Sequence, residues 1–396
     1  MNEMIQTRSA TKRNRQQNIS TSVDDQTCYG CWQHPPEDIM QKILQHMSLD
    51  DRLRLSFVCK YWQSFATRRD MPSGGQLPWL VLPQPPNSQF LSFANLSKRE
   101  VVWLNMPKPV KGVCFHASSR GWLILFRGRR PEGHMFMINP LSGVQHNLPA
   151  LKTIVTFRIG FRKWREPQSF VTKIALSSPN TSKCIVAAFF SSHELGFCRP
   201  GDKRWTVFEL KDNYIGVTDI FFSGTTLYAL LRHNYASERC TVVSYPITFE
   251  DRVVELKLIY DEIASFNSIS YMIESSINNE VLLIHQMLDR TFINDEPGSR
   301  ISSVTTSGFI VYKIDVECGN FLRVQSLEDE TLFLAEHGSS LSFRASDHEE
   351  LLGNCIYFVQ DETISILYLD TGKTERLFPD VVNLEGQKGW FTPSLW

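Results

Sequence analysis

The spacing of apolar residues changes near residue 70, and this change divides the chain into two parts. In the first part, five apolar residues share one face of a helix of about three turns: Ile39, Met40, Ile43, Leu44 and Met47. The preceding residues 35–38 read Pro-Pro-Glu-Asp, and both proline and acidic residues favour the start of a helix. Residues 48–51 have the spacing of a capping box, which predicts a second short helix. A third apolar stripe follows between Val58 and Phe65.

The three predicted helices hold about 30 residues in total, which is too few to enclose a core without help. We therefore expect some of their apolar surface to stay exposed until another protein covers it. Residues 1–30 are polar and basic, and they cannot bury enough apolar surface to offset the loss of chain entropy. The pattern predicts a disordered tail at 1–30 and a helical domain at 31–70.

From Met71 the composition turns to Pro, Gly and Ser, which indicates a linker at 71–76 and a domain boundary. After the linker the helical periodicity nearly disappears. Short runs of about four to eight residues with strong β-propensity dominate, such as 121–126 and 183–190, and each is bounded by turn-forming residues. The pattern predicts a mainly β domain over 77–396.

A strand, a tight turn and a second strand closed by an apolar residue recur along the β domain. Ile138–Gly143 and Tyr368–Gly372 contain two of these turns. The turns lie roughly 50 to 70 residues apart, which is the period of propeller blades with four strands each. Five blades can be counted, and a sixth forms if the strand near Trp79 pairs with the terminal segment Trp390–Trp396, because such pairing removes the free sheet edges. We favour six blades, with seven as a further possibility; two stacked antiparallel sheets are the alternative, although they do not explain the period.

The composition is that of a folded protein. Of the 396 residues, 42% are hydrophobic and 21% are charged, which is too apolar for a disordered chain. The formal net charge of -1 gives no general attraction to nucleic acid or to an anionic membrane. No apolar run approaches the ~18 residues needed to cross a bilayer. The nine cysteines are scattered without the spacing of a disulfide framework, so we expect a protein of the cytoplasm, the nucleus or both.

The sequence offers little catalytic or metal-binding chemistry. Cys28, Cys31 and His34 form half of a zinc site, but no second pair of ligands follows at the spacing that a structural zinc needs. No nucleophile elbow, phosphate-binding loop, metalloprotease motif or kinase motif is present. We therefore expect no metal, no cofactor and no enzymatic activity of the chain itself.

A basic stretch with aromatic residues between its charges is a candidate binding segment. Its charged residues are Arg158, Arg162, Lys163 and Arg165. Three interpretations are open: a solvated hairpin, a docking site for an acidic or phosphorylated protein segment, or a surface for single-stranded nucleic acid. We favour the first two over nucleic acid.

Residues 35–66 resemble an F-box. The resemblance rests on five pieces in order: Pro36-Glu37-Asp38-Ile39, Ile43-Leu44, Leu49-Asp50-Asp51, Leu53 and Val58-Cys59-Lys60-Tyr61-Trp62. The last piece is the most specific of them. The family commonly has leucine immediately before the proline, whereas Pro35 stands there in this chain and removes one apolar contact.

The rest of the chain resembles the KIB-type β-propeller of plant F-box proteins. Seven pieces in the family's order carry this resemblance: Leu77–Pro83, Ser119–Leu123, Ile138–Gly143, Phe197–Trp205, Gly224–Leu230, Asn354–Phe358 and Trp390–Trp396. The family commonly has glycine where Glu328 stands here, so we expect a different turn at that position. The implied fold is mainly β, with an N-terminal three-helix F-box followed by a β-propeller.

The resemblance implies the role of a substrate receptor in an SCF (cullin–RING) ubiquitin ligase. The F-box would bind a Skp-type adaptor, and through it cullin and a RING protein, while the propeller would bind a target protein that the sequence does not identify. The expected adaptor-binding residues are Pro36, Ile39, Ile43, Leu44, Leu49, Leu53, Val58 and Trp62. The expected target-docking residues are Arg158, Arg162, Lys163 and Arg165. The alternative is a propeller that binds a ligand or acts as an enzyme, with the helices as a structural cap.

Overall fold

The structure is a computed structural model, and it describes most of the chain from residue 35 onward. The described residues are 35–45, 47, 51–52, 55, 58–66, 77–83, 88, 90–105, 113–127, 133–160, 167–190, 193–210, 214–233, 239–247, 257–263, 268–293, 300–316, 319–360, 363–377 and 386–394. The predicted tail, the predicted linker and the zinc half-site lie outside them.

The helices near the start of the chain pack into a small unit. Helix α1 (Glu37–Gln45) contacts helix α2 (Lys60–Ala66), and Asp51, Arg52 and Leu55 between them are also helical. The buried core of the unit is Met40, Leu44 and Phe65, with Met47, Leu55, Tyr61 and Trp62 partly buried against it. No described residue of the β domain belongs to this cluster, so these helices pack on one another.

Two side-chain hydrogen bonds fasten the helical unit. Arg52 is buried, and its Nε donates to the carbonyl oxygen of Leu44 at 2.9 Å, which satisfies a backbone acceptor in the last turn of α1. The Tyr61 hydroxyl donates to the carbonyl oxygen of Pro35 at 2.6 Å, directly before α1. Pro35 is buried, so the proline that stands in place of the family's leucine is part of the packed unit.

Twenty-five strands form the β domain in the described part of the chain. In chain order they are β1 (Trp79–Val81), β2 (Phe90–Asn95), β3 (Glu100–Asn105), β4 (Val113–Ser119), β5 (Trp122–Arg127), β6 (His134–Ile138), β7 (Gln145–Asn147), β8 (Val171–Leu176), β9 (Val186–Phe190), β10 (Glu194–Cys198), β11 (Thr206–Glu209), β12 (Tyr214–Ser223), β13 (Thr226–His233), β14 (Arg239–Pro246), β15 (Lys257–Ile263), β16 (Ser268–Glu274), β17 (Val281–Ile293), β18 (Arg300–Ile314), β19 (Phe321–Val324), β20 (Glu330–Phe333), β21 (Leu341–Arg344), β22 (Cys355–Gln360), β23 (Thr363–Tyr368), β24 (Lys373–Arg376) and β25 (Gly389–Phe391). A short helix, α3 (Val155–Gly160), lies between β7 and β8.

The strands form six sheets, which are the blades of a propeller. Blade 1 has the order β25-β1-β2-β3, blades 2 to 5 each contain four consecutive strands from β4 to β19, and blade 6 has the order β21-β20-β22-β23-β24. Six apolar clusters join neighbouring blades, one for each pair, including the pair formed by blade 6 and blade 1. The prediction of a mainly β chain with a six-bladed propeller is confirmed.

The alternation of side chains along the strands produces these clusters. In β12 of blade 4, Ile220 and Phe222 belong to the cluster shared with blade 3, whereas Phe221 belongs to the cluster shared with blade 5. Successive side chains of a strand point to opposite faces, so a strand that is apolar on both faces fits between two neighbouring blades. This explains why the strands appear in the sequence as short continuous apolar runs.

The ring is closed by pairing between the two ends of the propeller. The inner strand of blade 1 is β25, which lies antiparallel to β1 with Trp79 opposite Phe391. Trp79, Phe93 and Phe391 are buried with their rings in contact. This pairing confirms the closure that the sequence predicts from Trp79 and the segment Trp390–Trp396.

Blade 6 departs from the antiparallel pattern of the others. Its strand β20 runs parallel to β22, and β21 pairs with β20 on the side of the ring axis. Residues 334–340, which connect β20 to β21, cross the ring: the Ser339 amide donates to the Ser118 carbonyl in blade 2 at 2.9 Å, and Lys173 in blade 3 donates to the Glu336 carbonyl at 2.9 Å. We call residues 334–340 the plug, because they close the central channel.

The plug meets blade 2 at a position that only glycine fits. Gly338 has a φ of 99°, in the left-handed region that other residues avoid. A Cβ atom there would lie 2.5 Å from the carbonyl oxygen and 2.6 Å from the nitrogen of Ser118. Both atoms are backbone atoms of an inner strand, so neither moves aside at low cost.

We expect Gly338→Ala to destabilise the propeller by roughly 3 kcal/mol or more, because the strained φ and the backbone clash add. Gly201→Ala is the matched control, since Gly201 has a φ of 93° with no atom within 4 Å of the added Cβ. That control should cost only about 1 kcal/mol. Urea unfolding measures both, and equal losses for the two variants would show that the plug contact contributes nothing to stability.

Candidate functional site

The helical unit keeps apolar side chains on its surface. The predicted adaptor-binding residues that are exposed or partly exposed are Pro36, Ile39, Ile43, Val58 and Trp62. Val58 is 66% exposed and Ile39 is 39% exposed. We call these five residues the exposed stripe. Leu49 and Leu53 lie outside the described residues.

Leu44 takes a different place from the one the sequence predicts for it. It is fully buried between the helices, together with Met40. Consecutive residues of a helix are rotated by about 100°, so Met40 and Leu44 face inward while Ile39 and Ile43, one position earlier, lie beside them nearer to solvent. Helix α1 thus has a wider apolar face than its own core uses, and Leu44 supports the exposed stripe from within.

The basic stretch begins on a helix. Residues 155–160 form α3, so the hairpin interpretation is wrong for them. The buried side chains of Ile154 and Phe157 anchor this helix in the cluster between blades 2 and 3. Arg158 is exposed there, beside Ile159, which is 80% exposed. The other predicted docking residues, Arg162, Lys163 and Arg165, lie outside the described residues.

A pocket opens at the centre of the ring, where the inner strands of blades 2 to 5 end. Its volume is about 480 Å³. Ser119, Leu176, Phe222 and Glu274 line it from the ends of β4, β8, β12 and β16. The plug and the start of β21 complete the lining with hydroxyl groups from Ser339, Ser340 and Ser342. We call this cavity the central pocket.

A buried carboxylate fixes the hydroxyl groups on one side of the central pocket. Glu330 is buried at the start of β20, and its Oε1 accepts a hydrogen bond from the Ser276 amide at 2.8 Å and another from the Ser342 hydroxyl. The Ser342 hydroxyl also lies 2.9 Å from that of Ser276. On the same wall Glu274 accepts a hydrogen bond from the Ser223 hydroxyl. Charged hydrogen bonds of this kind hold side chains in fixed positions, so this side of the pocket is preorganised.

Polar side chains also fill the channel behind the plug. Lys173 forms an ion pair with buried Asp219 at 3.5 Å, and Asp219 accepts the Met272 amide at 2.9 Å. His116 is the extra residue of a β-bulge in β4, and comparable bulges precede Lys173 in β8 and Asp219 in β12. Bulges redirect side chains, so they allow charged and polar groups to turn toward the ring axis within otherwise apolar strands.

His116 is held in its neutral form. Burial lowers the pKa of His116 from 6.5 to about 3, and the charges of His337 and Lys173 act in the same direction. The Nδ1 atom of His116 has no hydrogen-bond partner among the described residues. A proton on this ring would therefore add an unsolvated charge beside Lys173.

Within the described ranges, no group of three or more His, Cys, Asp or Glu side chains is placed to hold a metal ion. No helix in that part of the chain is long and apolar enough to cross a membrane.

Sequence reasoning did not find the central pocket. Its residues come from five blades and from the plug, so they are far apart in the chain. The signal that was present is local: Ser119, Arg120 and Gly121 follow an apolar strand as a polar turn, and serines crowd residues 339–342. Neither feature shows that the two segments meet.

Comparison with known families fits this geometry. The F-box domain matches residues 36–72, which contain the helical unit, and the KIB1-4 beta-propeller matches residues 92–381, which contain β3 to β24. A helical F-box joined to a propeller defines the class of F-box proteins that carry a propeller domain. This chain belongs to the KIB1-4 β-propeller family.

The relatives are plant proteins. F-box protein At2g14290 of Arabidopsis thaliana is 24% identical over 384 residues, which cover 92% of this chain and 98% of that protein. Putative F-box protein At4g22180 of the same plant is 22% identical over 404 residues, covering 92% and 94%. The resemblance to plant F-box proteins with a KIB-type propeller is confirmed.

We expect the low pKa of His116 to make the propeller sensitive to mild acid. In the unfolded chain this histidine takes up a proton below a pH of about 6.5, whereas in the folded chain it stays neutral down to about 3. Stability is therefore complete above the unfolded pKa and falls as the pH drops from there toward the folded pKa. Between a pH of about 7.5 and one of about 5, the loss from His116 alone should be about 2 kcal/mol.

Denaturant unfolding at these two pH values measures this loss, with His116→Asn as the variant. The variant should lose about 2 kcal/mol less stability than the unsubstituted protein on acidification. His193→Asn, at an exposed position, is the matched control for removing a histidine. An unchanged pH dependence in His116→Asn would contradict the burial argument.

Proposed function

We propose that this protein is a substrate receptor of an SCF (cullin–RING) ubiquitin ligase. The F-box binds a Skp-type adaptor, and through it cullin and the RING protein, and the propeller holds a target protein. The chain contributes no catalytic residue; it brings the target near the conjugating enzyme and so raises the effective concentration of the target's lysines. The family membership supports the class, and the exposed stripe supports the adaptor step.

The observation that carries this proposal is the division of apolar residues in α1 and α2. Met40, Leu44 and Phe65 already form the core of the unit. Ile39 and Val58 remain on the surface, where they gain nothing in the free protein. Burying a fully exposed side chain of this kind is worth about 1.5–3 kcal/mol, and covering the part of Ile39 or Val58 that is still exposed yields a share of that free energy. A second protein that covers the exposed stripe gains this free energy, whereas the propeller's own clusters contain no residue of the stripe.

The buried cysteines indicate the cellular compartment of the protein. Four of the cysteines that the structure describes are buried: Cys184, Cys198, Cys240 and Cys355. Buried thiols of this kind behave as small apolar residues in a reducing environment. The proposal accordingly puts the protein in the cytoplasm, the nucleus or both.

We expect the double variant Ile39→Asp, Val58→Asp to lose at least about 100-fold in affinity for a purified Skp-type adaptor, because two apolar contacts become buried charges. Isothermal titration with the full chain measures this. The matched control is Leu322→Asp, Leu352→Asp, which changes two residues of the propeller that are 68% and 58% exposed. Equal adaptor affinity for the two double variants would reject the exposed stripe as the interface.

Deleting residues 1–70 separates a receptor from a propeller with a helical cap. The deletion removes the helical unit, whose core includes no described propeller residue. We expect the remaining chain to melt within a few degrees of the full protein and to bind no adaptor. Unfolding of the truncated chain at room temperature would show that the helices are a structural part of the propeller.

A further inference from the structure

Arg120 stands at the rim of the central pocket in a conformation that arginine rarely adopts. It forms a two-residue turn with Gly121 between β4 and β5, and the φ angles of the two residues are 48° and 79°. Positive φ at both positions defines a type I′ turn, which favours Asn or Gly at the first position. The corresponding turn of blade 4 has Gly224 at its first position, with a φ of 55°. An arginine costs more there than a glycine does.

The side chain of Arg120 is held by the two blades that follow. Its Nε donates to the Leu176 carbonyl in blade 3 at 2.9 Å, and one Nη donates to the Phe222 carbonyl in blade 4 at 2.7 Å. A guanidinium has five N–H donors in one plane, so three remain after these two bonds. The remaining donors can form charged hydrogen bonds with a carboxylate or a phosphate, which are shorter and stronger than neutral ones.

The charge of Arg120 has no counterpart in the part of the chain that the structure describes. No described carboxylate forms an ion pair with it, although it lines a pocket that also contains Glu274. Two backbone carbonyls hold the guanidinium in place without neutralising it. The central pocket therefore presents a fixed cation at its rim, beside hydroxyl groups that Glu330 holds in place.

The size and lining of the pocket fit a short stretch of polypeptide. A volume of about 480 Å³ lies within the range of ligand sites. The lining combines apolar side chains, from Phe221, Ile273 and Phe343, with serine hydroxyls. An extended peptide offers partners for both, since its successive side chains point in opposite directions while its backbone offers hydrogen-bonding groups.

We propose that the central pocket is the target-binding site, and that it takes an extended segment of the target whose anionic side chain pairs with Arg120. The anion is a carboxylate or a phosphate, since the remaining guanidinium donors suit either. This inference rests on the proposed function, because it names the surface by which the receptor holds its target. The proposal assigns target recognition to the central pocket instead of the basic stretch around Arg158.

The experiment measures the binding of labelled short peptides to the full chain by fluorescence polarisation. The peptide pools have randomised flanks and differ only in a central Asp, Glu, phosphoserine, Asn or Lys. An anionic centre should bind at least about tenfold more tightly than Asn, and Lys should bind more weakly still. Preference for Asp and Glu identifies a carboxylate, and preference for phosphoserine identifies a phosphate.

Two variants assign the preference to Arg120. Arg120→Gln should bind the anionic and Asn-centred pools equally, and Arg120→Lys should keep part of the difference because it keeps the charge. The matched control is Arg99→Gln: Arg99 is exposed, has a φ of 49° and lies outside the central pocket. This control should retain the full preference.

Three results overturn the proposal: no binding of any pool, equal binding of the Asp, phosphoserine and Asn pools by the unsubstituted protein, or an undiminished preference in folded Arg120→Gln. The first two do not depend on the stability of a variant. Adaptor binding, measured on the same samples, should be unaffected by Arg120→Gln. If the unsubstituted protein prefers anionic peptides but binds no adaptor, the proposed ligase role fails while the pocket assignment stands.

Discussion

The propeller depends on the antiparallel pairing of β1 with β25. Without it, blade 1 would lose its inner strand and β1 would present an unpaired edge, and exposed edges invite pairing with other chains. The same two strands contribute side chains to the apolar clusters on both sides of blade 1: Trp79 and Phe391 pack toward blade 2, while Leu80 and Trp390 pack toward blade 6. The chain that leaves β25 then reaches the central pocket, where Asn139 donates to the Ser394 carbonyl at 2.8 Å. The segment that follows the closing strand therefore contributes Ser394 to the lining of the pocket.

The reversed strand of blade 6 explains the position of the plug. Because β20 runs parallel to β22, it finishes at the opposite end of the ring from an ordinary inner strand, and the chain must return before it can enter β22. The returning strand is β21, and the plug is the loop that joins β20 to it and contacts blades 2 and 3 across the axis. The ion pair of Lys173 with buried Asp219 lies beside the plug, because Lys173 also donates to the Glu336 carbonyl.

The sequence predicted those features that depend on spacing along the chain. The period of the turns predicted the blades, because each blade buries both faces and must repeat the same pattern. The apolar segments at the two ends of the propeller predicted its closure. The sequence did not predict the plug, because the plug depends on β20 running parallel to β22. A parallel pair such as Leu332 with Ile356 has the same apolar composition as an antiparallel one. The burial of Leu44 within the helical unit was not predicted for a related reason: periodicity identifies an apolar face but not which part of that face a neighbouring helix covers. At Glu328 the φ of 55° shows that the chain adopts a conformation favourable to glycine despite the substitution.

The two proposed binding surfaces depend on different kinds of interaction, and this difference separates their roles. The exposed stripe around Ile39 and Val58 offers apolar area, whose contribution is non-directional. The central pocket offers a fixed guanidinium and oriented hydroxyls, which discriminate by geometry and charge. The apolar cluster beneath the stripe shares no described residue with the clusters of the propeller, so free-energy changes at the two surfaces should add. A receptor of the proposed kind keeps its adaptor while the pocket changes, because a new side chain at Arg120 alters which segment is held without touching the exposed stripe.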